Sequence, residues 1–449
     1  MRRSQPSRRD VLGASGIGLS AIVLNDAAPL RTSTLSTRAS RDLIIKEIRV
    51  TPIALPDPPL LSSFGLHGPY FLRTIVEVIT ADGIVGIGET REGATKELQT
   101  IAKAIVGRSA LAYRTFKMST HAYAAIEVAC LDVIGKATGL RLCDLLGGPV
   151  REEPEFAAYL FYRYAADHPA LLADKRIVDT RGKGDKALDA WGEVRTPEAM
   201  AELAWRLHEK HGFRVHKLKG GVLSPDQELE TLRAMNARFG GKHALRIDPN
   251  GVWTIDTAVR IGNAMKDLPL EYYEDPVTGR AGMAEVRQRT GLPTSTNMFI
   301  TSFDGIPPTE PKVIDVVLAD LHYWGGISGC VNLGPVARVL GWKLSQHSNN
   351  HSGVSMAAMI HVAALVPELT LASDTHYPWL PDDADIIVGK KLPIVGGRMK
   401  VPAGAGLGVE LDRDKLARAN ETFTKCGMTG RDDVQTMQLI EPGWKRPSF

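Results

Sequence analysis

From about residue 42 the apolar positions fall into two successive rhythms. Leu43-Ile44-Ile45 and Ile48-Arg49-Val50 are β-branched runs broken by charges, and Thr74-Ile75-Val76-Glu77-Val78-Ile79-Thr80 runs into the turn Ala81-Asp82-Gly83. Ile84-Val85-Gly86-Ile87-Gly88 then reads as the returning strand of a hairpin. Between these runs, Leu60 to Tyr70 is a loop carrying Ser62, Ser63 and His67. From Glu97 to Gly139 the spacing turns helical, with Ala124, Ala125, Ile126, Val128, Ala129, Leu131, Val133 and Ile134 marking a largely buried helix that stops at Gly139. Strands followed by helices predict an α+β domain over residues 42–153.

The second rhythm alternates strand and helix over residues 154–403. Short apolar runs are predicted as strands at Phe156–Leu160, Val215–Leu218, Ala244–Asp248, Leu270–Glu274, Pro293–Thr296, Val313–Leu318, Lys343–Gln346 and Leu369–Ser373. Amphipathic segments such as Glu198–Lys210 and Asp226–Ala237 separate them. Eight such units predict an α/β fold, a TIM-type (β/α) barrel. A doubly wound open sheet is the alternative, but no Gly-rich phosphate fingerprint follows an early strand. The charged, irregular segment Arg163–Arg195 reads as an insertion or lid after the first barrel strand.

Composition narrows the classes. Of 449 residues, 44% are hydrophobic, enough for a large core, and 54 basic residues against 51 acidic ones leave a net charge of +3. That balance argues against a nucleic-acid-binding stripe. The four cysteines, Cys130, Cys143, Cys330 and Cys426, form no CxxC pair. After the first thirty residues no apolar run is long enough to span a membrane. Residues 1–41 stand apart: Ser7-Arg8-Arg9-Asp10 leads into a short, weakly apolar run and then a Ser/Thr/Arg-rich tail. This resembles a twin-arginine export signal, with a disordered extension as the alternative.

The chemistry collects at the C-terminal ends of the predicted strands, where a barrel places its site. Lys217 and Lys219 lie two apart on one strand, so both project from one face. Adjacent ammonium groups repel, which favours one of them as a base. A solvated basic strand would show the same pair. Next come Asp248 before Pro249, Glu274 before Asp275-Pro276, and Asn297 before Met298, each about one strand and one helix after the last. Three oxygen donors on consecutive strands suit Mg²⁺ better than a thiolate-seeking metal. Asp320 and His347, the latter in His347-Ser348-Asn349-Asn350-His351, complete the series.

With these motifs in order, the chain from about residue 43 onward resembles the enolase superfamily, specifically the glucarate dehydratases. The resemblance implies a modified (β/α)7β barrel and a capping domain built from N-terminal and C-terminal segments, with residues 404–449 returning to the cap. It implies Mg²⁺ on Asp248, Glu274 and Asn297, Lys219 as base on one face of the substrate, and His347 oriented by Asp320 as base and acid on the other. Lys217 would add positive charge beside the enediolate. Substrate contacts implied in the same way are His67, Thr115, Tyr159, Asn349, His376 and Arg431. The implied reaction is loss of water from D-glucarate by a hydro-lyase, with its epimer L-idarate as a second implied substrate. The implied partner is a small dicarboxylic sugar acid bound by a homo-oligomer. Ser62 stands where the family has an Asn, and the segment after Pro276 is shortened. Both departures bear on which diacid is preferred. A related dehydratase or epimerase acting on galactarate, or a non-catalytic binding protein for sugar acids, are the other readings.

Overall fold

The computed structural model describes residues 42–178, 191–306 and 312–449, which form one compact unit. The export-signal reading falls on residues 1–41, outside the described residues. No helix among those described is long and apolar enough to cross a membrane.

The first rhythm folds as a capping layer. β1 (Ile45–Pro56), the short hairpin strands β2 (Leu61–Ser62) and β3 (Gly65–Leu66), β4 (Tyr70–Thr80) and β5 (Val85–Arg91) precede α1 (Thr95–Ile105), α2 (Thr120–Thr138) and α3 (Leu142–Leu145). The two broken apolar runs at 43–50 thus become one strand, because the full length of β1 pairs antiparallel with β4. The helical stretch expected from Glu97 onward is interrupted by a left-handed turn at Gly107 and a 3-10 helix, Ala110–Thr115. Helix α2 starts on a Ser119 cap and ends on a left-handed Gly139. It lies directly on β5 because Gly86 and Gly88 carry no Cβ; one on either would come within 2.0 Å of an α2 carbonyl oxygen.

The second rhythm closes into a barrel of parallel strands. β6 (Phe156–Phe161) is followed by α4 (Pro169–Leu172) and α5 (Pro197–His211), then β7 (Val215–Lys219), α6 (Pro225–Arg238), β8 (Ala244–Asp248), α7 (Ile255–Ala264), β9 (Leu270–Glu274) and α8 (Arg280–Thr290). β10 (Thr294–Thr296), β11 (Val316–Ala319), α9 (Gly326–Val339), β12 (Lys343–Gln346), α10 (Gly353–Leu365) and β13 (Ser373–Thr375) complete it. The order β12-β11-β10-β9-β8-β7-β6-β13 closes through a parallel bridge between Leu344 and Leu369. Thr196, Ser224, Thr254 and Ser352 cap α5, α6, α7 and α10, so these chain reversals are written locally in a Ser or Thr, whereas α8 and α9 start after Gly279 and Gly325. One connection differs from expectation: between β10 and β11 the described residues hold only a 3-10 turn, Phe303–Gly305, and residues 307–311 lie outside them.

The register stacks inward-facing side chains in rows. Tyr159, Lys217, Arg246 and Tyr272 pair across β6 to β9, and Phe161, Lys219 and Asp248 form the row above them. The C-terminal helices α11 (Arg413–Cys426) and α12 (Asp433–Ile440) return to the cap. Asn420 Nδ2 donates to Pro52 O of β1 at 2.7 Å, and Cys426 and Met428 pack with Ala54, Tyr70 and Leu72.

Cap and barrel are joined through a buried ion pair of the cap sheet that also bonds to barrel groups. Arg73 Nε on β4 donates to Glu89 Oε1 on β5 at 2.6 Å, while Glu89 also accepts from the backbone N–H groups of Ser352 and Ser355 at the start of α10. Burial would raise the Glu89 carboxyl, but Arg73 and the other donors bring it down to about 2. Its unfolded value is higher, so this group stabilises the fold above about pH 4.5 and the gain is lost as pH falls toward 2. Glu89→Gln leaves Arg73 buried and unpaired, so it should cost ~3–5 kcal/mol at pH 7. Urea unfolding of both proteins from pH 7 to 3 checks this. The variant should be less stable at neutral pH and lose less on acidification, and equal midpoints throughout would refute the clamp.

Candidate active site

β7 delivers Lys217 and Lys219 to the barrel mouth, and the turn after them is fixed by Glu228, which accepts from Gly221 N, Val222 N and Leu223 N. Gly221 sits at φ +73 with Pro249 O 2.5 Å from where a Cβ would be, so this corner admits only glycine. Lys219 Nζ donates to Asp248 Oδ2 at 2.7 Å and to Tyr159 Oη at 3.0 Å. Lys217 Nζ, wholly buried, lies 2.6 Å from Glu274 Oε2 and 2.7 Å from Asp374 Oδ2. The expected mutual repulsion of the lysines is therefore not the dominant effect. Burial would lower both, but Asp374 and Glu274 at Lys217, and Asp248 at Lys219, hold each ammonium above its ordinary value.

Asp248, Glu274 and Asp275 bring carboxylate oxygens within 4.8 Å of one another, a group able to hold a metal ion. Their environments differ. The two lysines hold Asp248 low against burial. Burial pushes Glu274 well above the usual carboxylate range despite Lys217, and raises Asp275 to about 7. Glu274 Oε1 is buried with no hydrogen-bond partner. An orphaned carboxylate oxygen in a pocket of oxygen donors fits a hard divalent cation. Asp275, which sequence reasoning missed, stands at φ +36 and accepts from Thr296 Oγ1 at 2.5 Å and Asn297 N at 2.9 Å. It thereby fixes the end of β10, where Asn297 sits half-exposed.

On the other flank, His347 follows β12 and its Nδ1 lies 2.7 Å from Asp320 Oδ2, after β11. Against burial, His322 and His347 hold Asp320 well below the usual carboxylate range. Asp320 thus takes the Nδ1 hydrogen and leaves Nε2 as the ring atom that can exchange protons. Lys219 on β7 and His347 after β12 stand three strands apart round the ring.

The expected substrate contacts divide. Tyr159, Phe161 and His376 form one aromatic wall, with His376 centred 4.7 Å from Tyr159 and stacked parallel to His67 at 6.2 Å. Burial pushes the Tyr159 phenol up to about 12 despite both lysines, and pushes His376 well down. Arg431 reaches in from the C-terminal segment, donating to Asn350 Oδ1 at 3.0 Å and pairing with Asp433 and Asp57. Asn349 is half-buried beside His347. Thr115 does not join the group. It is exposed on the 3-10 helix of the cap, bonded to Ala112 O and Arg108, and its assignment is withdrawn. Asp374, also missed, lies one residue beyond the predicted end of its strand and ties Lys217 to Arg246 Nη1, 2.9 Å away.

One mouth of an eight-stranded parallel barrel thus gathers carboxylates able to hold a metal ion, two lysines and a histidine–aspartate pair. The enolase C-terminal domain-like family matches residues 199–415, and the N-terminal domain of mandelate racemase and muconate lactonizing enzyme matches residues 71–147. The chain belongs to the enolase superfamily. It is 40% identical to a protein of Streptomyces coelicolor described as a probable glucarate dehydratase, over 91% of this chain and 99% of that one. An enolase from Thermobispora bispora, solved with magnesium and formate, superposes with a TM-score of 0.82 at 39% identity, over 90% of this chain and 99% of that one. One from Pseudomonas fluorescens, solved with magnesium, potassium and tartrate, gives 0.81 at 38%, over 90% and 98%.

A divalent cation at this cluster should stabilise the native state by about 2.7 kcal/mol at a hundred times its Kd. Thermal unfolding with and without the cation measures this, and Glu274→Gln should remove the gain. Asn297→Ala should weaken the apparent Kd if its amide oxygen is a third ligand. An unchanged gain in Glu274→Gln would exclude the cluster as the site.

Proposed function

We propose that this protein is a Mg²⁺-dependent acid-sugar dehydratase, converting D-glucarate to 5-dehydro-4-deoxy-D-glucarate and water. The observation that carries the reading is the arrangement of the mouth: an acidic cluster on β8 and β9, flanked by Lys219 on β7 and by the Asp320–His347 pair after β11 and β12. The similarity to the Streptomyces protein supports the choice of substrate class.

Asp248, Glu274 and Asn297 would hold the ion. Bound there, Mg²⁺ supplies positive charge that relieves the two lysines of their carboxylate partners and offsets the charge of an enediolate. The residues do the rest. Lys219 Nζ takes the α-proton as the C–H bond breaks, and Lys217 stays protonated beside the carboxylate that becomes the enediolate. His347 gives its Nε2 proton to the departing β-hydroxyl, which leaves as water, and the resulting enol becomes the ketone. With the opposite epimer His347 takes the α-proton instead. Arg431 offers a bidentate donor face to the distal carboxylate, and Tyr159, Phe161 and His376 shield the reacting carbons from water.

The test is a panel of hexarate diastereomers with Mg²⁺, scored for keto product and for solvent deuterium at the α-carbon. D-glucarate should turn over. Lys219→Ala and His347→Asn should each lower kcat by roughly 10²–10⁴-fold with the cation still bound. Exchange without loss of water would replace dehydration by epimerisation. Absence of any exchange with the cation bound would leave a binding protein.

A further inference from the structure

Asp320 has two oxygens, and only one serves His347. Its Oδ1 accepts the backbone N–H of His322 at 2.8 Å and lies 3.3 Å from His322 Nδ1. The His322 ring is buried, and its Nε2 lies 2.9 Å from Arg73 Nη2 on cap strand β4. A guanidinium can only donate. A hydrogen on Nε2 would therefore face another N–H at 2.9 Å, so Nε2 must present its lone pair and the ring hydrogen must sit on Nδ1. The weaker approaches of Nε2, 3.3 Å to Glu89 O and 3.5 Å to Ser355 Oγ, do not outweigh this. Nδ1–H is then aimed at Asp320 Oδ1.

Arg73 is itself held. Its Nε donates to Glu89, which also accepts from Ser352 Oγ at 2.6 Å. Ser352 caps α10, five residues after His347. The series His347, Asp320, His322, Arg73, Glu89, Ser352 thus returns to the loop from which it started, passing through both cap and barrel. The neighbouring His351 adds no charge: both ring nitrogens are buried without hydrogen-bond partners, and burial holds it down to about 3.

We propose that His322 is a positioning residue for His347. The cap's Arg73 fixes its tautomer, and its Nδ1–H locks the Asp320 carboxylate in the rotamer that aims His347 Nε2 at the substrate. This rests on the reading of His347 as the acid and base of the reaction. The consequence is that the capping layer orients a proton-transfer group as well as covering the site.

The test uses the full chain with Mg²⁺ and D-glucarate. His322→Leu should lower kcat about 10- to 100-fold with KM little changed, the range seen when a supporting hydrogen bond to an active-site ligand is lost. In His322→Asn the amide N–H stands where Nδ1–H stood and should recover most of the loss. His322→Leu combined with His347→Asn should be no slower than His347→Asn alone. Independently of any substrate, ¹⁵N spectra of the histidine rings should show both His322 and His347 with hydrogen on Nδ1 in the parent protein. This measurement decides the matter if His322→Leu does not fold. An Nε2–H tautomer at His322, or full kcat in His322→Leu beside an inactive His347→Asn, would overturn the proposal while leaving His347 as the base. Full turnover in His347→Asn would instead overturn the reading beneath it.

Discussion

The node of the structure is the buried ammonium of Lys217. A closed barrel leaves no water to solvate charge in its inner rows, so each ion there must be met by another. Lys217 takes Asp374 from β13 and Glu274 from β9, and Arg246 shares Asp374 from the next strand. Lys217, Arg246 and the nearly buried Lys219 stand among the wholly buried Asp248, Glu274, Asp275 and Asp374, and Arg246 also pairs with the part-buried Glu271, so carboxylates outnumber cations here. The surplus is located at the rim, where Glu274 Oε1 lacks a partner and burial drives up both Glu274 and Asp275. A site of this kind stores unfavourable electrostatics that only a proton or a bound cation relieves.

The cap is bound to this barrel by the same physics on another edge. Arg73 and Glu89 are buried in the cap sheet, and their remaining hydrogen-bonding capacity is met by barrel groups: His322, Ser352 and Ser355. Sliding of cap against barrel at this edge would break these bonds while the two charges stay buried, so the contact specifies one docking geometry. Asp320 lies at the end of that contact, and the orientation of His347 is therefore tied to the docking.

Much of this was legible in the chain. Period-two alternation placed Lys217 with Lys219 and put Asp248 and Glu274 at strand ends, because a strand has only two faces and a barrel buries one of them toward its axis. What escaped had physical reasons. By alternation Asp275 should point away from Glu274, but a left-handed backbone angle swings it back, and an aspartate at such an angle leaves no mark in sequence. Asp374 was missed because the apolar run of its strand ends before it. The lysine pair was read as mutually repelling because its carboxylate partners come from strands far along the chain. Thr115 was carried over from the family resemblance, and no residue pattern shows that the 3-10 helix bearing it turns the hydroxyl back onto Ala112 O.

The division between rigid rows and loops also separates positions bound to the strand register from positions free to vary. A one-residue slip in any barrel strand would turn its functional side chain outward, so lysines and carboxylates are bound to the register. The cap loop is under no such constraint. Ser62 is buried and accepts from Phe64 N at 3.2 Å, closing a local turn. An Asn side chain can close the same kind of turn. Ser62→Asn would therefore keep the shape of the loop that carries His67 while adding an amide's reach. That loop sets His67 against His376 and, through Asp57, beside Arg431. A longer side chain there would alter the space and the donors beside His67 and Arg431 while leaving Lys219 and Asp248 in the strand register.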